Sequence, residues 1–364
     1  MNVLMISGDT GVIKNIDGPF SLTLSELSKN WEQIDILCPG MAGHQRNFRN
    51  NVRLLGVRKF LLVFDLLKQL RTNHYDLIVT HDYGLMLNGL SVFFLNSFFK
   101  IPHITELHHI EGYPIAVSLK ERFYATWGKI YVYFIAKHFN AIRVDNWGAI
   151  VSLLKRLGLN ESKLIYLPPI YLELEKFRPL NIEKKYDIIF VGRFVENKGI
   201  FILLKSILLL KQQNILLKTC LKGRGPLTHS ILQFIKDNNL ADLVQINQNN
   251  LNEKELIEFY NQGKVLVCAS TVEGGPRVTF EAMACDVPVI TTGCGLMPEC
   301  IKNGENGFIF DGTAQDLADK LKEIFLDLNL YKKIQVHSRN SVLKYDYKIT
   351  LEAYATSYRK RIGK

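Results

Sequence analysis

The chain has 364 residues, a formal net charge of +10 and 47% hydrophobic residues. This length predicts two domains rather than one, and the apolar content excludes a disordered chain. The six cysteines form no C-x-x-C pair, which argues against a zinc site or a disulfide framework. No segment is apolar over the roughly 20 residues that a membrane-spanning helix needs.

Short apolar segments alternate with helical patterns along the first half of the chain. We predict strands near residues 3–7, 33–38, 51–55, 76–80, 102–107, 141–144 and 163–167, and helices at about 20–30, 60–72, 83–98, 118–139 and 147–157. This alternation predicts a parallel, doubly wound sheet of the α/β class. The first segment is too short for the apolar core of a signal peptide, so we expect a cytoplasmic protein.

The segment between Leu167 and Pro179 interrupts this alternation with three prolines followed by charged residues. Such a segment is typical of a linker, and we therefore predict a first domain at 1–178 and a second at 179–344. A second strand and helix series starts at Tyr186 and continues past residue 310.

Two glutamates lie eight positions apart, Glu273 before a Gly-Gly-Pro turn and Glu281 in a helical pattern. Apolar segments at 265–270 and 287–292 predict a buried strand on either side. The glycine loop therefore follows a strand, at the edge where open α/β sheets bind ligands. We predict that both glutamates accept hydrogen bonds from ligand hydroxyls, which a sugar nucleotide carries on its hexose and on its ribose.

Arg193 and Lys198 flank the predicted start of a helix, directly after the strand that begins at Tyr186. Two cations beside the free N–H groups of a helix N-terminus suit a diphosphate. A lysine at this end of a helix is otherwise unfavourable because of the helix dipole, which favours a functional role.

These motifs together resemble the retaining GT-B glycosyltransferases of family 4, the glycosyl transferases group 1. The family pattern E-G-x-P-x-x-x-x-E-A-M-A matches residues 273–284, its G-R-(x)4-K-G element matches 192–199, and its G-x-G-P turn matches 223–226. The resemblance implies two Rossmann-like domains that face a central cleft. It also implies that the last helix, within 345–364, packs back on the first domain.

The resemblance assigns Arg193 and Lys198 to the donor diphosphate, Glu273 to the hexose and Glu281 to the ribose, while the G-x-G-P turn faces the base. The implied donor-binding residues are Gly18, Arg193, Lys198, Gly223, Gly225, Glu273, Gly274, Gly275, Pro276 and Glu281. Only Gly18 of the family's Gly-Gly pair is carried over, because Pro19 has no N–H. The implied catalytic residues are Arg193, Lys198, Glu273 and His108.

The first domain supplies histidines at two predicted strand ends. The family places a histidine that contacts the donor hexose where His108 stands, and His109 is the adjacent alternative. Glu106 lies two residues before His108, on the same face of a regular strand, and either orients His108 or binds the acceptor. His81 ends the neighbouring strand and matches a histidine common in the family. We assign His81, Glu106 and His109 to the acceptor side.

We therefore expect a retaining glycosyltransferase that moves a hexose or N-acetylhexosamine from a UDP- or GDP-sugar to a glycan or lipid-linked acceptor of the cell envelope. No D-x-D pair occurs and no His/Cys cluster has metal-ligand spacing, so we expect neither metal nor cofactor. Two alternatives stay open: a sugar phosphorylase or nucleotide-sugar epimerase of the same architecture, and a non-catalytic sugar-nucleotide-binding protein. The absence of a nucleic-acid-binding motif argues against a nucleic acid partner.

Basic residues concentrate in two segments of the predicted first domain. Residues 46–71 hold Arg46, Arg49, Arg53, Arg58, Lys59, Lys68 and Arg71 against Asp65 alone. The helix at 118–139 mixes lysines and arginine with aromatic residues, the composition of a helix that lies in a membrane interface. We expect peripheral docking at the cytoplasmic membrane face, although the aromatic residues of a Rossmann helix also pack inward on its sheet.

Overall fold

A computed structural model describes residues 1–16, 18–108, 110–113, 116, 118–145, 149–168 and 170–363. The chain divides into two compact units, the first comprising Met1–Pro169 with Lys348–Lys364 and the second Ile170–Tyr347. Both units alternate strands and helices along the chain.

The first unit is built on an eight-stranded sheet in the order β3-β4-β2-β1-β5-β6-β7-β8. Its strands are parallel except β3, which pairs antiparallel with β4. The strands are β1 Asn2–Ile6, β2 Gln33–Pro39, β3 Gln45–Arg49, β4 Val52–Val57, β5 Leu77–His81, β6 His103–Glu106, β7 Ala141–Val144 and β8 Leu164–Tyr166.

Sequence reasoning missed β3, whose residues are polar and mostly exposed. An edge strand with such a composition carries little apolar signal. Strands β1, β2, β5, β6 and β7 are buried almost throughout, on both faces, which explains why their apolar runs were readable. In β1, Val3 and Met5 pack into one layer, while Leu4 and Ile6 pack into the other.

The described residues of the first unit form five α-helices before the chain passes to the second unit. They are α1 Pro19–Leu27, α2 Leu62–Thr72, α3 Leu87–Phe99, α4 Leu119–Phe134 and α5 Ala149–Arg156. Helix α1 contributes Leu24 and Leu27 to one layer of the core. Helices α2 to α5 contribute apolar side chains to the clusters on the other side.

The second unit is built on a six-stranded parallel sheet in the order β11-β10-β9-β12-β13-β14. Its strands are β9 Tyr186–Val191, β10 Thr219–Lys222, β11 Val244–Asn247, β12 Gly263–Cys268, β13 Val289–Thr292 and β14 Phe308–Phe310. Its helices are α6 Ile200–Gln212, α7 Thr228–Asp237, α8 Glu253–Gln262, α9 Arg277–Ala284, α10 Met297–Cys300, α11 Ala314–Leu326 and α12 Leu328–Val342. One apolar cluster joins the sheet to α6, α7 and α11, and another joins it to α8, α9 and α10.

The boundary between the units lies earlier than the predicted one at 178/179. Ile170, Leu172, Leu174 and Phe177 are buried in the same cluster as α8 and α9 of the second unit. The prolines therefore mark the start of the change of unit, while the apolar residues after them already belong to the second core.

The last helix, α13 Tyr347–Arg361, lies largely in the first unit. Tyr354, Ala355 and Tyr358 are buried in the same cluster as α1 and β1. The guanidinium of Arg359 donates to the carbonyl of Asn30, and that of Arg361 donates to the carbonyl of Leu164 at 2.9 Å. The helix is thereby fastened to the first unit by both apolar packing and hydrogen bonds.

Candidate active site

Three glycine-containing loops of the second unit leave neighbouring strands at the same edge of its sheet. Arg193 follows β9, Gly223 follows β10 and Glu273 lies in the loop after β12. Strand β9 lies between β10 and β12. Because parallel strands end at one edge, these loops converge where α/β folds bind ligands.

Lys198 and Glu273, predicted separately from the sequence, form an ion pair between Nζ and Oε1. Lys198 ends the short 3₁₀ turn before α6, and Ser270 Oγ donates to the same carboxylate oxygen at 3.1 Å. Both charged side chains keep about a fifth of their surface exposed, at 21% and 19%. A ligand phosphate and ligand hydroxyls can therefore reach this pair.

Glu281 lies within α9 and its side chain is only 8% exposed. Tyr260 donates from its hydroxyl to Oε2 at 2.6 Å, and Arg277 donates from Nε to Oε1 at 2.7 Å. Burial, followed by the charge of Glu281, raises the pKa of Tyr260 well above its ordinary value, so this hydroxyl stays a donor. Each oxygen of an ionised carboxylate can accept a further bond, which leaves acceptor capacity for a ribose hydroxyl.

Neither Tyr260 nor Arg277 was predicted from the sequence. Arg277 precedes Glu281 by four residues, a helical spacing that brings side chains together and was available as a signal. Tyr260 comes from α8, and its contact with Glu281 depends on how α8 packs against α9.

A pocket of about 450 Å³ lies at the same edge of the sheet. Its lining residues are Val191, Gly192, Arg193, Lys222, Gly223, Arg224, Gln248, Asn249, Asn250, Leu251 and Leu256. The volume is in the range of small-molecule sites. The loop after β11, which supplies residues 248–251, was absent from the sequence prediction.

Gly223 cannot be replaced at this pocket without moving the backbone. Its φ is +153°, and a Cβ there would lie 1.8 Å from the carbonyl oxygen of Gly192. The close approach of the two loops therefore requires glycine. The predicted Gly225 lies in the same turn, where its N–H donates to Thr228 Oγ1 at 3.2 Å.

The loop between Glu273 and α9 is held in one shape by local contacts. The carbonyl of Gly274 accepts from the N–H of Leu296 at 3.1 Å, and a Cβ at Gly275 would lie 2.8 Å from Ile170 Cδ1. Pro276 is the N-cap residue of α9. These predicted residues shape the loop that carries Glu273.

In the first unit, His81 and His108 lie against the buried carboxylate of Glu106. His81 Nε2 is 3.3 Å from Glu106 Oε2, and His108 Nε2 is 3.6 Å from the same oxygen. His81 ends β5, and its Nδ1 is 3.0 Å from Ser7 Oγ. Burial lowers the pKa of His81, which outweighs the opposing charge of Glu106 and favours a neutral ring.

Glu106 is 1% exposed and is held by groups from β7 and α13. Arg143 NH1 donates to Oε2 at 2.7 Å, the Tyr358 hydroxyl donates to Oε1 at 2.8 Å, and the Tyr354 hydroxyl donates to Oε1 as well. Burial alone would raise the pKa of Glu106, but the positive charge of Arg143 and the hydrogen bond from Tyr354 hold it below its ordinary value. Of the two predicted roles, this environment favours orientation of the histidines over contact with an acceptor.

Asp145 is a second partner of His108 that sequence reasoning missed. Its carboxylate lies 2.8 Å from His108 Nδ1 and is buried at the end of β7. A carboxylate accepts from the proton on Nδ1 and thereby fixes the tautomer and the orientation of the ring. His108 is 38% exposed, so its imidazole remains open to a ligand.

Gly18 is the exposed N-cap residue of α1. Its N–H donates to Ser21 Oγ at 3.1 Å, and its extended backbone conformation is open to any residue. No steric requirement for glycine follows there. His109 lies outside the described residues.

Replacing Tyr354 and Tyr358 together with phenylalanine is expected to destabilise the first unit. Each hydrogen bond to a buried charge is worth roughly 1.5–3 kcal/mol, and denaturant unfolding at pH 7 measures the loss in the free energy of unfolding.

This effect should depend on pH. Because the pKa of Glu106 is lowered in the folded state, its contribution to the free energy of unfolding is present above its ordinary pKa of 4.5 and declines as the pH falls below it. The difference from wild type should therefore shrink in acid. Tyr133→Phe, at a half-exposed residue, is the control, and equal stability of both variants at pH 7 contradicts the prediction.

Comparisons with known proteins find a matching family and similar structures. Residues 173–341 match the family described as glycosyl transferases group 1. A glycosyltransferase of Methanocaldococcus jannaschii is 26% identical over 75% of this chain and 72% of its own length. The N,N'-diacetylbacillosaminyl-diphospho-undecaprenol alpha-1,3-N-acetylgalactosaminyltransferase of Campylobacter jejuni is 25% identical over 57% of this chain and 54% of its own length. The structure of Anabaena HepE in complex with UDP superposes with a TM-score of 0.76 and 16% identity, covering 99% of this chain and 100% of that one.

The fold is the two-domain α/β fold of GT-B glycosyltransferases, as predicted. Residues 173–341 match the glycosyl transferases group 1, and the prediction of a glycosyltransferase is confirmed. The finer assignment to family 4 stays a prediction.

Proposed function

We propose that this enzyme transfers a hexose or N-acetylhexosamine from a nucleotide diphosphate sugar to a glycan or lipid-linked acceptor, with retention at the anomeric carbon and without a metal. The observation that carries the proposal is the Lys198–Glu273 pair at the start of α6, beside the pocket that Arg193 lines. A cation for the diphosphate and a carboxylate for sugar hydroxyls stand together there.

The names of the relatives support the substrate classes. HepE was crystallised with UDP, which favours a UDP-sugar as the donor. The Campylobacter relative is named as a transferase acting on a diphospho-undecaprenol sugar, which favours a lipid-linked acceptor. An acceptor of this class would place the enzyme in envelope glycan synthesis on the cytoplasmic side of the membrane.

We assign the roles from the contacts within each unit and from the family resemblance. Lys198 and Arg193 neutralise the diphosphate, and the pocket at Gly223 takes the base. Glu281, fixed by Tyr260 and Arg277, accepts from the ribose. The resemblance assigns the hexose to Glu273 and to His108, whose ring Asp145 and Glu106 orient.

The bond between the anomeric carbon and the leaving phosphate oxygen breaks, and the acceptor oxygen bonds to that carbon on the same face. The leaving phosphate takes the acceptor proton, so no protein nucleophile is required. Negative charge develops on the departing nucleotide, and preorganised cations stabilise such charge most effectively. Lys198 and Arg193 thereby substitute for the metal ion that other transferases use.

A donor panel tests the proposal. Thermal unfolding is measured with UDP-, GDP- and ADP-sugars, since a ligand at about 100 times its Kd stabilises the fold by roughly 2.7 kcal/mol. The donor that stabilises the protein is then incubated with lipid-linked and soluble acceptors, with and without EDTA, and the anomer of the product is identified by NMR. We expect one UDP-sugar to stabilise the protein, and transfer to continue in EDTA with the anomeric configuration retained.

Other outcomes contradict separate parts of the proposal. Loss of transfer in EDTA, restored by Mg²⁺ or Mn²⁺, refutes metal independence, and an inverted product refutes retention. Phosphate-dependent cleavage identifies a phosphorylase, and isomerisation without acceptor identifies an epimerase. Donor binding without turnover on any acceptor indicates a non-catalytic binding protein.

A further inference from the structure

The exposed large aromatic side chains of the described residues all belong to the first unit. Among the residues that the structure describes, every exposed large aromatic side chain lies between residues 60 and 134. These residues are Phe60, Phe64, Tyr83, Phe94, Phe98, Phe123, Tyr133 and Phe134. A contiguous apolar patch on a protein surface marks an interaction site, whereas scattered single residues do not.

Helix α4 carries a stripe of exposed apolar side chains along one face. Leu119, Phe123, Ile130 and Phe134 are 82%, 58%, 43% and 59% exposed. Their spacing of four, seven and four residues places them on one side of a helix with 3.6 residues per turn. The opposite side, with Ala125, Gly128, Tyr131 and Val132, is the buried one. The expectation that the aromatic residues of this helix pack inward holds for Tyr131 but not for the stripe.

Exposed phenylalanines of two other elements lie near residues of α4 or of the segment that follows it. Phe60, 83% exposed, lines a pocket of about 390 Å³ together with Tyr124 of α4. Phe94 of α3 lines a pocket of about 330 Å³ together with His138, which follows α4. We name these residues with the stripe, Leu119, Phe123, Ile130, Tyr133, Phe134, Phe60 and Phe94, the α4 surface.

Basic side chains flank the α4 surface. Helical spacing places Lys120 on one side of the stripe and Arg122 and Lys129 on the other, and all three are exposed. Between residues 119 and 138 the chain has four basic residues and one acidic residue, Glu121. Lysine and arginine bury their aliphatic stems in an interface while their charges stay in water.

The basic segment 46–71 offers less positive charge to a binding partner than its composition suggests, because four of its arginines make contacts within the first unit. Arg53 pairs with buried Asp35 at 2.6 Å, and Arg58 pairs with Asp65 at 2.9 Å. The guanidinium groups of Arg46 and Arg49 donate to Val12 and Ser25. These contacts hold the first unit together, which leaves α4 as the stronger candidate for a contact surface.

From this arrangement we propose that the first unit docks on an anionic lipid bilayer through the α4 surface. An apolar stripe of leucine, isoleucine and phenylalanine bordered by lysine and arginine is the composition of a helix lying in a membrane interface. Protein–protein interfaces are depleted of lysine, so another protein fits this surface less well. Docking goes beyond the proposed transfer reaction and brings the enzyme to the membrane that holds a lipid-linked acceptor.

Flotation of the full chain with vesicles tests the docking without donor or acceptor, so its outcome is independent of the proposed reaction. We expect binding to vesicles with roughly one-third anionic lipid at low salt, and weaker binding to neutral vesicles or at about 1 M salt. Each removed cation should weaken binding about fivefold, so K120Q/R122Q/K129Q should lose on the order of a hundredfold. Phe123→Ser with Phe134→Ser removes the apolar contribution and should also release the protein.

Matched substitutions in the second unit provide the controls. K236Q/K332Q/K333Q removes the same charge from exposed positions, and Leu326→Ser with Val336→Ser removes exposed apolar side chains. Both should bind like wild type. If the serine variant of α4 fails to fold by circular dichroism, the glutamine variant decides the question. The proposal is overturned if wild type stays unbound on anionic vesicles at low salt, if the controls lose as much binding as the α4 variants, or if light scattering shows a dimer that the α4 variants dissociate.

Discussion

Glu281→Gln is expected to lower kcat/KM for the nucleotide sugar by about tenfold to 150-fold, which corresponds to roughly 1.5–3 kcal/mol for a hydrogen bond to a charged group. Glutamine keeps the size of the side chain and an oxygen that accepts from Tyr260, but it removes the negative charge that faces Arg277. The proposed ribose contact then becomes a neutral hydrogen bond. Initial rates at saturating acceptor measure the effect.

The control for this variant is Glu258→Gln, at a more exposed position of α8 that is 42% exposed at its side chain. It removes the same charge and should keep the wild-type kcat/KM within about twofold, because surface substitutions have small effects. Circular dichroism shows whether both variants fold. A folded Glu281→Gln enzyme with wild-type kcat/KM would remove Glu281 from the donor site.

Lys198→Ala is expected to lower kcat by about 100-fold to 1,000-fold, the range for removing one preorganised group that stabilises transition-state charge. The variant loses the cation proposed for the diphosphate and also leaves Glu273 without its ion-pair partner. An unpaired carboxylate beside a departing phosphate adds repulsion. Lys205→Ala, at an exposed position of α6, is the matched control and should retain wild-type activity.

A double variant separates the two ways in which Lys198 can act. If Lys198 only neutralises Glu273, then the Lys198→Ala/Glu273→Gln variant should turn over as fast as Glu273→Gln alone. If Lys198 stabilises the leaving diphosphate, the double variant should be slower than Glu273→Gln alone. Equal turnover of these two variants would contradict the proposed role of Lys198.

The parallel sheets were readable from the sequence because their central strands are buried on both faces. Such strands appear as continuous apolar runs, as at Ile188–Phe190 and Val265–Cys268. Strand β3 was missed because it is polar and pairs at the edge of its sheet. The predicted domain boundary at 178/179 lies too late in the chain. Composition shows the prolines and the charged residues, but it does not show which hydrophobic core the neighbouring apolar residues join.

Sequence reasoning predicted the charged residues of the candidate site but not the residues that hold them. Lys198 and Glu273 belong to local motifs, each formed by a strand end and the following loop, and such motifs are visible as spacing. Tyr260 and Asp145 occur in no motif, although they hold Glu281 and His108. Their positions depend on the packing of α8 and on the neighbouring strand β7.

The sequence by itself determined the fold class, the glycosyltransferase family and the loops that carry Arg193, Lys198, Glu273 and Glu281, because these follow from apolar periodicity and from short motifs. Only the tertiary structure decided which partners hold those side chains, and that Tyr354 and Tyr358 from α13 hold Glu106. The tertiary structure also decided that the apolar stripe of α4 faces outward. Contacts between residues far apart in the chain, and the choice of which helix face is buried, depend on packing that local patterns do not encode.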